Sequence, residues 1–328
     1  MAKLKVGVVG VGSMGKNHVR AYASLKHVCE LIGVFDINQG MAEEVARSYG
    51  VKAFSTLEAL LAEVDAINIA TPTSTHYEIG MKALEAGKHI LMEKPVTGSV
   101  EEAQTLIRNA RKKSLIFQVG HIERFNPVIR HLPNILKDQE IIAIDVQRLG
   151  PYDPRIDDTD VIQDLMIHDI DVVNSLIPAP IARIQAFGRR LVSARHIDYA
   201  VANLMMENGV IANLTASRVT NKKVRKMEIT TVSSFIELDY LQKKITMTAR
   251  EPFIPGTSNY NQEQVVEEVY NGEEDPLKLQ LLHFINCIED NTRPLISGAD
   301  GLEALKVTRI IQELVYREEE AAELPVSG

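Results

Sequence analysis

One stretch near the amino terminus decides the fold: Lys5-Val-Gly-Val-Val-Gly-Val-Gly-Ser-Met-Gly15. Its apolar start predicts a strand, and the periodic pattern after Gly15 predicts a helix. The glycines between them have the spacing G-x-G-x-x-G, which is weak alone but typical of a dinucleotide-binding turn between a strand and a helix. Such a turn brings backbone N–H groups and a helix amino terminus to a pyrophosphate. The residues expected to contact the dinucleotide are Gly10, Gly12, Ser13, Met14 and Gly15.

Asp36 is the expected partner of the adenosine ribose. It closes a second apolar run, Leu31 to Phe35, at the distance beyond the glycines where an acid usually binds the ribose hydroxyls. A carboxylate there would repel a 2′-phosphate, and no arginine lies immediately beside it. The sequence therefore favours NAD over NADP as cofactor.

Strand and helix patterns alternate as far as residue 119. Strands are predicted over 51–54, 66–70, 89–92 and 115–119, and helices over 40–49, 57–63, 76–86 and 99–113. This alternation predicts an α/β domain with a doubly wound parallel sheet of the Rossmann type, which binds ligands at its carboxyl edge. Beside the glycine turn and Asp36, that edge would gather Thr71, Pro72, Glu93 and Lys94. His76, at the predicted start of a helix, is either a cap or surface residue or a contact of the nicotinamide end.

The chemistry is expected at Lys94. It follows a buried strand, and Pro95 restricts its backbone to extended conformations, so that covalent geometry helps to aim the side chain. The simpler alternative is a solvated lysine at a strand-to-turn junction.

Beyond residue 122 the pattern changes, so we predict a cofactor domain over 1–122 and an α+β domain for substrate binding and oligomerisation over 123–328. After a helix over 127–136, strands are predicted over 141–148, 184–190, 200–206, 210–217, 227–232, 234–239 and 244–248. Asn208-Gly209 predicts a hairpin between two of them. An open, mostly antiparallel sheet with helices on one face is expected. Two final helices, predicted over 276–290 and 299–320, would pack on the sheets. One possible arrangement has them pack back on the first domain.

Asp164 and His168 are the candidate acid–base pair of the second half. They lie four residues apart in a segment whose apolar positions, from Val161 to Val173, predict a helix with a wide buried surface. A carboxylate beside an imidazole can orient the ring and raise its basicity, as a general base requires. The alternatives are a surface polar pair and a metal site that adds Asp171, and we predict no metal.

Composition narrows the class of protein. The chain has 328 residues and a formal net charge of −8, which argues against nucleic-acid binding. The run from Lys222 to Lys226 is basic, in contrast to the acidic chain as a whole. It is either a solvated loop or a contact for an anionic substrate. Cys29 and Cys287 are too few for a disulfide framework, and no apolar run predicts a signal peptide or a membrane span, so a cytoplasmic protein is expected.

Taken together, the motifs resemble those of the Gfo/Idh/MocA family, named after glucose-fructose oxidoreductase and inositol dehydrogenase. The resemblance is carried by the glycine turn, Ala70-Thr-Pro72, Glu93-Lys-Pro95, and Asp164 with His168. It implies a Rossmann domain, an open-sheet domain that often associates into homodimers or homotetramers, and oxidation of a secondary hydroxyl of a sugar, cyclitol or nucleotide sugar. It also implies that Lys94 polarises the reacting oxygen, that His168 transfers the proton, and that Asp164 orients substrate and base.

A narrower resemblance is to the branch that includes UDP-N-acetylglucosamine 3-dehydrogenases. It is carried by the segments from Gly120 to Pro127, from Asp164 to Asp171 and from Ala216 to Val219, although Met166 stands where many family members have glycine. Guanidinium groups bind phosphate well, so the residues expected at a nucleotide sugar are Arg124, Asn126, Arg155 and Arg218, with Arg225 as a further candidate. A free-sugar or inositol dehydrogenase, or a non-catalytic dinucleotide sensor, are the alternatives.

Overall fold

The computed structural model describes residues 3–154, 159–249, 266–271 and 274–323. The chain forms two compact units. The first comprises residues 1–125 and 275–305, and the second comprises residues 126–274 and 306–328. Within the described residues, no helix is long and apolar enough to cross a membrane.

The first unit contains six strands and the helices between them. The elements are β1 (Leu4–Val9), α1 (Ser13–Ser24), β2 (Cys29–Phe35), α2 (Gln39–Tyr49), β3 (Lys52–Ala53), α3 (Leu57–Glu63), β4 (Ala66–Ile69), α4 (Thr73–Glu85), β5 (His89–Met92), α5 (Val100–Lys112) and β6 (Phe117–Val119). All strand pairs are parallel, and the order in the sheet is β3-β2-β1-β4-β5-β6. This order is that of the dinucleotide-binding Rossmann fold, so the predicted fold of this half is confirmed.

Apolar cores cover both faces of this parallel sheet. In β5, Ile90 and Met92 belong to one core, and Leu91 belongs to the other together with Val19 and Tyr22 of α1. A strand buried on both faces needs apolar residues at every position, which explains the uninterrupted run before Glu93. Because side chains alternate between the faces, the next residue on the α1 side after Leu91 is Glu93.

The second unit carries an eight-stranded sheet. Its elements are α6 (Pro127–Ile135), β7 (Ile141–Leu149), α7 (Ile167–Leu176), β8 (Ile181–Arg189), β9 (Tyr199–Met206), β10 (Ile211–Ser217), β11 (Val224–Thr231), β12 (Ser234–Asp239), β13 (Lys244–Ala249) and β14 (Val266–Asn271). The order is β14-β13-β12-β11-β7-β10-β9-β8, and β7–β10 is the one parallel pair among the antiparallel neighbours of the described strands. The predicted open, mostly antiparallel sheet is confirmed, including the β9–β10 hairpin, where Gly209 has a φ of +86°.

Two helices close the chain: α8 (Pro276–Glu289) lies in the first unit, and α9 (Gly298–Glu323) begins in the first unit and continues in the second. In the second unit α7 packs on β10, and α9 packs on β8 where Gly188 leaves room for Val315. These contacts place helices on the buried face of the antiparallel sheet.

Two helices differ from the sequence prediction. The helix predicted over 76–86 begins already at Thr73, because Pro72 occupies the position before the first turn. The predicted helix through Val161 to Val173 consists of a π-helical turn, Ile162–Met166, followed by α7. Asp160 caps this turn by accepting the N–H groups of Ile162 and Gln163.

Candidate active site

The glycine turn is shaped by two glycines and left open by a third. Gly10 has a φ of +85°, and a Cβ there would lie 2.6 Å from the Ala70 carbonyl oxygen. A Cβ on Gly15 would collide with the Gly10 carbonyl, whereas a Cβ on Gly12 would meet nothing within 4 Å. The protein itself therefore requires Gly10 and Gly15, while the space at Gly12 is free for a bound group. Helix α1 starts there without a side-chain cap, so its first N–H groups face that space. These features fit a dinucleotide pyrophosphate.

Asp36 lies beside this turn, at the end of β2. Its Oδ2 accepts the Val11 N–H at 2.8 Å and its Oδ1 accepts the Asn38 N–H at 2.9 Å. Each carboxylate oxygen retains a further lone pair for a ribose hydroxyl. Ser13 and Met14 form the first residues of α1, as the prediction of a strand–turn–helix unit requires.

Glu93 points towards α1, as the alternation along β5 requires. Its Oε1 lies 2.7 Å from Nε2 of His18, which is fully buried, and its Oε2 accepts the Lys94 N–H at 3.3 Å. Burial alone would raise the pKa of the Glu93 carboxyl, but the hydrogen bond and charge of His18 and the charge of Lys94 lower it below its usual range. The carboxylate is therefore ionised, and Lys94 follows it as a half-buried residue with a cis peptide bond to Pro95.

His76 is neither a cap nor a surface residue. It is 1% exposed, its Nδ1 lies 2.9 Å from the Pro95 carbonyl oxygen, and its Nε2 lies 2.9 Å from the Thr71 carbonyl oxygen. Burial lowers the pKa of the imidazole, although both carbonyls act in the opposite direction. His76 thus ties the segment after β4, with Thr71 and Pro72, to the segment after β5. Its contact with nicotinamide stays a prediction.

In the second unit, Asp164 lies on the π-helical turn and His168 lies in the first turn of α7, and both are half-buried. The helix is fixed by its neighbour Asp169, which is 1% exposed. Arg148 on β7 donates to Asp169 in a bidentate pair, with Nη2 2.7 Å from Oδ1 and Nε 2.9 Å from Oδ2. This buried pair sets the position of the turn that carries His168.

The residues predicted at the substrate have structural partners in their own units. Arg124 pairs with Asp300 at 3.3 Å, and Asn126 caps α6 and donates to the Tyr240 carbonyl. Arg218 donates to Asp198 at 2.7 Å and to the Thr159 carbonyl, and Arg225 donates to the Leu149 carbonyl. Arg155 lies outside the described residues. Among the described residues, no group of three or more His, Cys, Asp or Glu side chains is arranged to hold a metal.

Comparisons with known proteins identify the family of this chain. The sequence model of an oxidoreductase family with an NAD-binding Rossmann fold matches residues 4–121, and the Gfo/Idh/MocA C-terminal domain matches residues 145–232. The UDP-N-acetylglucosamine 3-dehydrogenase of Acidithiobacillus ferrooxidans is 36% identical over 316 residues, which are 93% of this chain and 95% of that protein.

The chain belongs to the Gfo/Idh/MocA family of oxidoreductases.

Another relative and two solved structures also match over nearly the whole chain. The scyllo-inositol 2-dehydrogenase (NAD(+)) of Bacillus subtilis is 26% identical over 93% of this chain and 92% of that protein. The solved structure of the Acidithiobacillus ferrooxidans enzyme superposes with a TM-score of 0.88 at 35% identity, covering 96% of this chain and 98% of that chain. A levoglucosan dehydrogenase in complex with NADH and levoglucosan shares the fold, with a TM-score of 0.85 at 20% identity over 97% of this chain and 98% of that chain. This family member is thus a dehydrogenase with an NAD-binding Rossmann domain.

Sequence reasoning missed three residues that support the motifs of this Gfo/Idh/MocA protein: His18, Arg148 and Asp169. His18 did leave a signal, because it is a polar residue on the buried side of α1, one position before Val19 and one turn before Tyr22. Arg148 left a similar signal, since it occupies a buried position of alternating strand β7.

The glycine turn yields a matched pair of variants. Gly10→Ala forces an L side chain into a left-handed backbone and should cost about 1–2 kcal/mol or more of unfolding free energy. Gly12→Ala meets open space, so we expect stability to stay within about 0.5 kcal/mol of the parent. The methyl group of Gly12→Ala would occupy the space expected for the pyrophosphate, so NAD should bind about tenfold more weakly or worse. Calorimetric NAD titration and urea unfolding check both variants, and unchanged NAD affinity in Gly12→Ala would place the pyrophosphate elsewhere.

The Arg148–Asp169 pair predicts a strong effect on stability. Arg148→Met removes the guanidinium that pairs with the buried Asp169 carboxylate and should lower the free energy of unfolding by about 3–5 kcal/mol. The double variant Arg148→Met with Asp169→Leu removes both charges and should recover much of the loss. Urea unfolding measures the free energy of unfolding of the parent, the single variant and the double variant. A single variant as stable as the parent would show that the pair does not hold α7.

Proposed function

We propose that this chain oxidises the hydroxyl on carbon 3 of UDP-N-acetylglucosamine, giving the 3-keto nucleotide sugar. The observation that carries the proposal is the 36% identity to the Acidithiobacillus ferrooxidans 3-dehydrogenase over nearly the whole of both chains. Lys94, Asp164 and His168 are all present in this chain. A dinucleotide sensor needs only the glycine turn and Asp36, so the presence of these three residues favours an enzyme.

The proposed roles divide the proton chemistry between two residues. His168 accepts the proton of the reacting hydroxyl, and Asp164 orients the imidazole and the substrate. Lys94 stabilises the negative charge that develops on the oxygen as the proton leaves. Bound NAD supplies the hydride acceptor. These roles rest on the family's motifs, as does the division into a cofactor domain over 1–122 and a substrate domain over 123–328.

We propose different roles for the residues predicted at the nucleotide sugar. Arg124 pairs with Asp300 and its side chain is 12% exposed, so we propose that this guanidinium lies at the diphosphate of the nucleotide sugar. Arg218 and Asn126 are buried and already donate to neighbouring groups. We therefore propose that they help to shape the substrate site and do not bind the diphosphate. The contribution of Arg155 stays a prediction.

The open face of the eight-stranded sheet is the surface that we assign to oligomer formation. We propose a homodimer or homotetramer that forms through the open face of the eight-stranded sheet. Support comes from Phe187, Tyr199 and Ile211, which are 58%, 37% and 38% exposed and alternate with buried alanines on β8, β9 and β10. A cytoplasmic location stays a prediction.

A substrate panel tests the function. UDP-N-acetylglucosamine, UDP-glucose, myo-inositol, scyllo-inositol and glucose are each offered with NAD and with NADP, and absorbance of the reduced cofactor is followed. We expect turnover with UDP-N-acetylglucosamine and NAD at a kcat/KM at least about a hundredfold above that for either inositol. Preferred oxidation of an inositol would replace the proposal with the inositol dehydrogenase alternative. Cofactor binding without turnover on any compound would favour the sensor.

A further inference from the structure

A buried hydrogen-bonded pair links the helix of the glycine turn to the strand that carries Lys94. His18 lies on α1 with 0% exposure, and its Nε2 is 2.7 Å from Glu93 Oε1. The two residues are far apart in sequence and meet only because Glu93 faces α1. The same helix begins at the open space over Gly12. One rigid element therefore contacts both the expected pyrophosphate position and the residue before Lys94.

Glu93 is fixed on each of its sides. One oxygen contacts His18, and the other accepts the backbone N–H of Lys94. On the strand side, a Cβ added to Gly120 would lie 3.0 Å from the Glu93 carboxyl carbon, so the carboxylate packs directly on the chain after β6. A carboxylate held in this way has almost no freedom to change rotamer, and the Lys94 N–H that it accepts shares the constraint.

Packing alone would not require polar groups at this place. Burying an imidazole and a carboxylate costs free energy, and two apolar residues of similar volume would give comparable or greater stability. The polar pair is thus better explained by what it orients. Lys94 is the neighbour whose position matters, because a misplacement of about 1 Å at a reacting group can lower a rate about 10²-fold.

We propose that His18 and Glu93 form a positioning pair that fixes the backbone of Lys94 relative to the glycine turn. The inference rests on the proposed function for its kinetic consequence, because Lys94 is the residue assigned to the reacting oxygen. His18 touches neither substrate nor the reacting atoms in this scheme and acts through Glu93. Its loss should lower kcat while leaving the binding of NAD and the KM for the sugar nearly unchanged.

The test compares His18→Phe, which keeps a ring of similar size without the hydrogen bond, with Glu93→Gln, which keeps the shape without the charge. Tyr22→Phe is the matched control, since Tyr22 is also buried on α1 and its hydroxyl has no hydrogen-bond partner among the described residues. Amide hydrogen exchange of the peptide over residues 90–98 is measured in the enzyme without substrate, and kcat, KM and the NAD dissociation constant are measured separately.

We expect His18→Phe to lower protection of that peptide and to lower kcat about 10²-fold, with KM and NAD affinity within about threefold of the parent. Glu93→Gln should give a smaller loss in the same direction, and Tyr22→Phe should match the parent. Unchanged exchange in His18→Phe, or a loss of NAD affinity as large as the loss of kcat, would overturn the proposal. The exchange result stands even if no sugar is oxidised, so failure of the proposed function can be told apart from failure of the positioning pair.

Discussion

Lys94→Ala is expected to lower kcat by about 10³-fold with NAD still bound at parental affinity, because the lysine contributes charge to the reacting oxygen and the glycine turn expected to hold the dinucleotide is unchanged. The residue is half-buried at the carboxyl edge of the parallel sheet, where an ammonium group is worth more than in bulk water. Rates are measured by cofactor absorbance and NAD binding by calorimetry.

Two further lysine variants make this result specific. Lys94→Arg keeps the charge but not the compact ammonium, and it should recover only part of the rate. Lys82→Ala removes an exposed lysine of α4 that pairs with Glu58 and Glu78, and its kcat should equal that of the parent. Parental activity in Lys94→Ala would remove Lys94 from the mechanism.

His168→Ala is expected to lower kcat by about 10²- to 10⁴-fold, the usual contribution of a positioned general base. The loss should be largest near neutral pH and shrink at high pH, where hydroxide replaces the missing base. Added imidazole should restore part of the rate in proportion to its concentration. A structural role would show no such rescue, so its absence together with a stable fold would contradict the assignment.

His27→Ala provides the control for this experiment. His27 is exposed in the turn after α1 and makes no contact with the motifs in the described structure. Its removal should leave kcat and the imidazole response at the parental values.

Local signals predicted the strands, turns and helices that carry the expected cofactor residues, whose contacts with NAD stay predictions. The glycine turn, Asp36 and the Glu93-Lys94-Pro95 edge all follow from short patterns, because strand, turn and helix are set by neighbours in sequence. At Gly12 the structure leaves open space, which is compatible with the predicted pyrophosphate-binding turn.

Contacts between distant residues could not be predicted in this way. The pairs His18–Glu93 and Arg148–Asp169 depend on which face of a helix meets which strand, and the positions of the two carbonyls around His76 depend on two separate loops. The π-helical turn before α7 was also missed, because the apolar spacing there fits an ordinary helix equally well. Strand β14 was missed because Glu267 and Glu268 interrupt the apolar alternation expected of a strand.

Deuterium placed on carbon 3 of UDP-N-acetylglucosamine shows most directly whether the enzyme oxidises that carbon. The labelled sugar is incubated with the enzyme and NAD, and the product is examined by mass spectrometry and NMR. We expect the product to lose the label, and the deuterated substrate to react more slowly than the unlabelled one when hydride transfer limits the rate. Formation of a keto sugar that retains deuterium on carbon 3 would show that a different carbon is oxidised and would contradict the account.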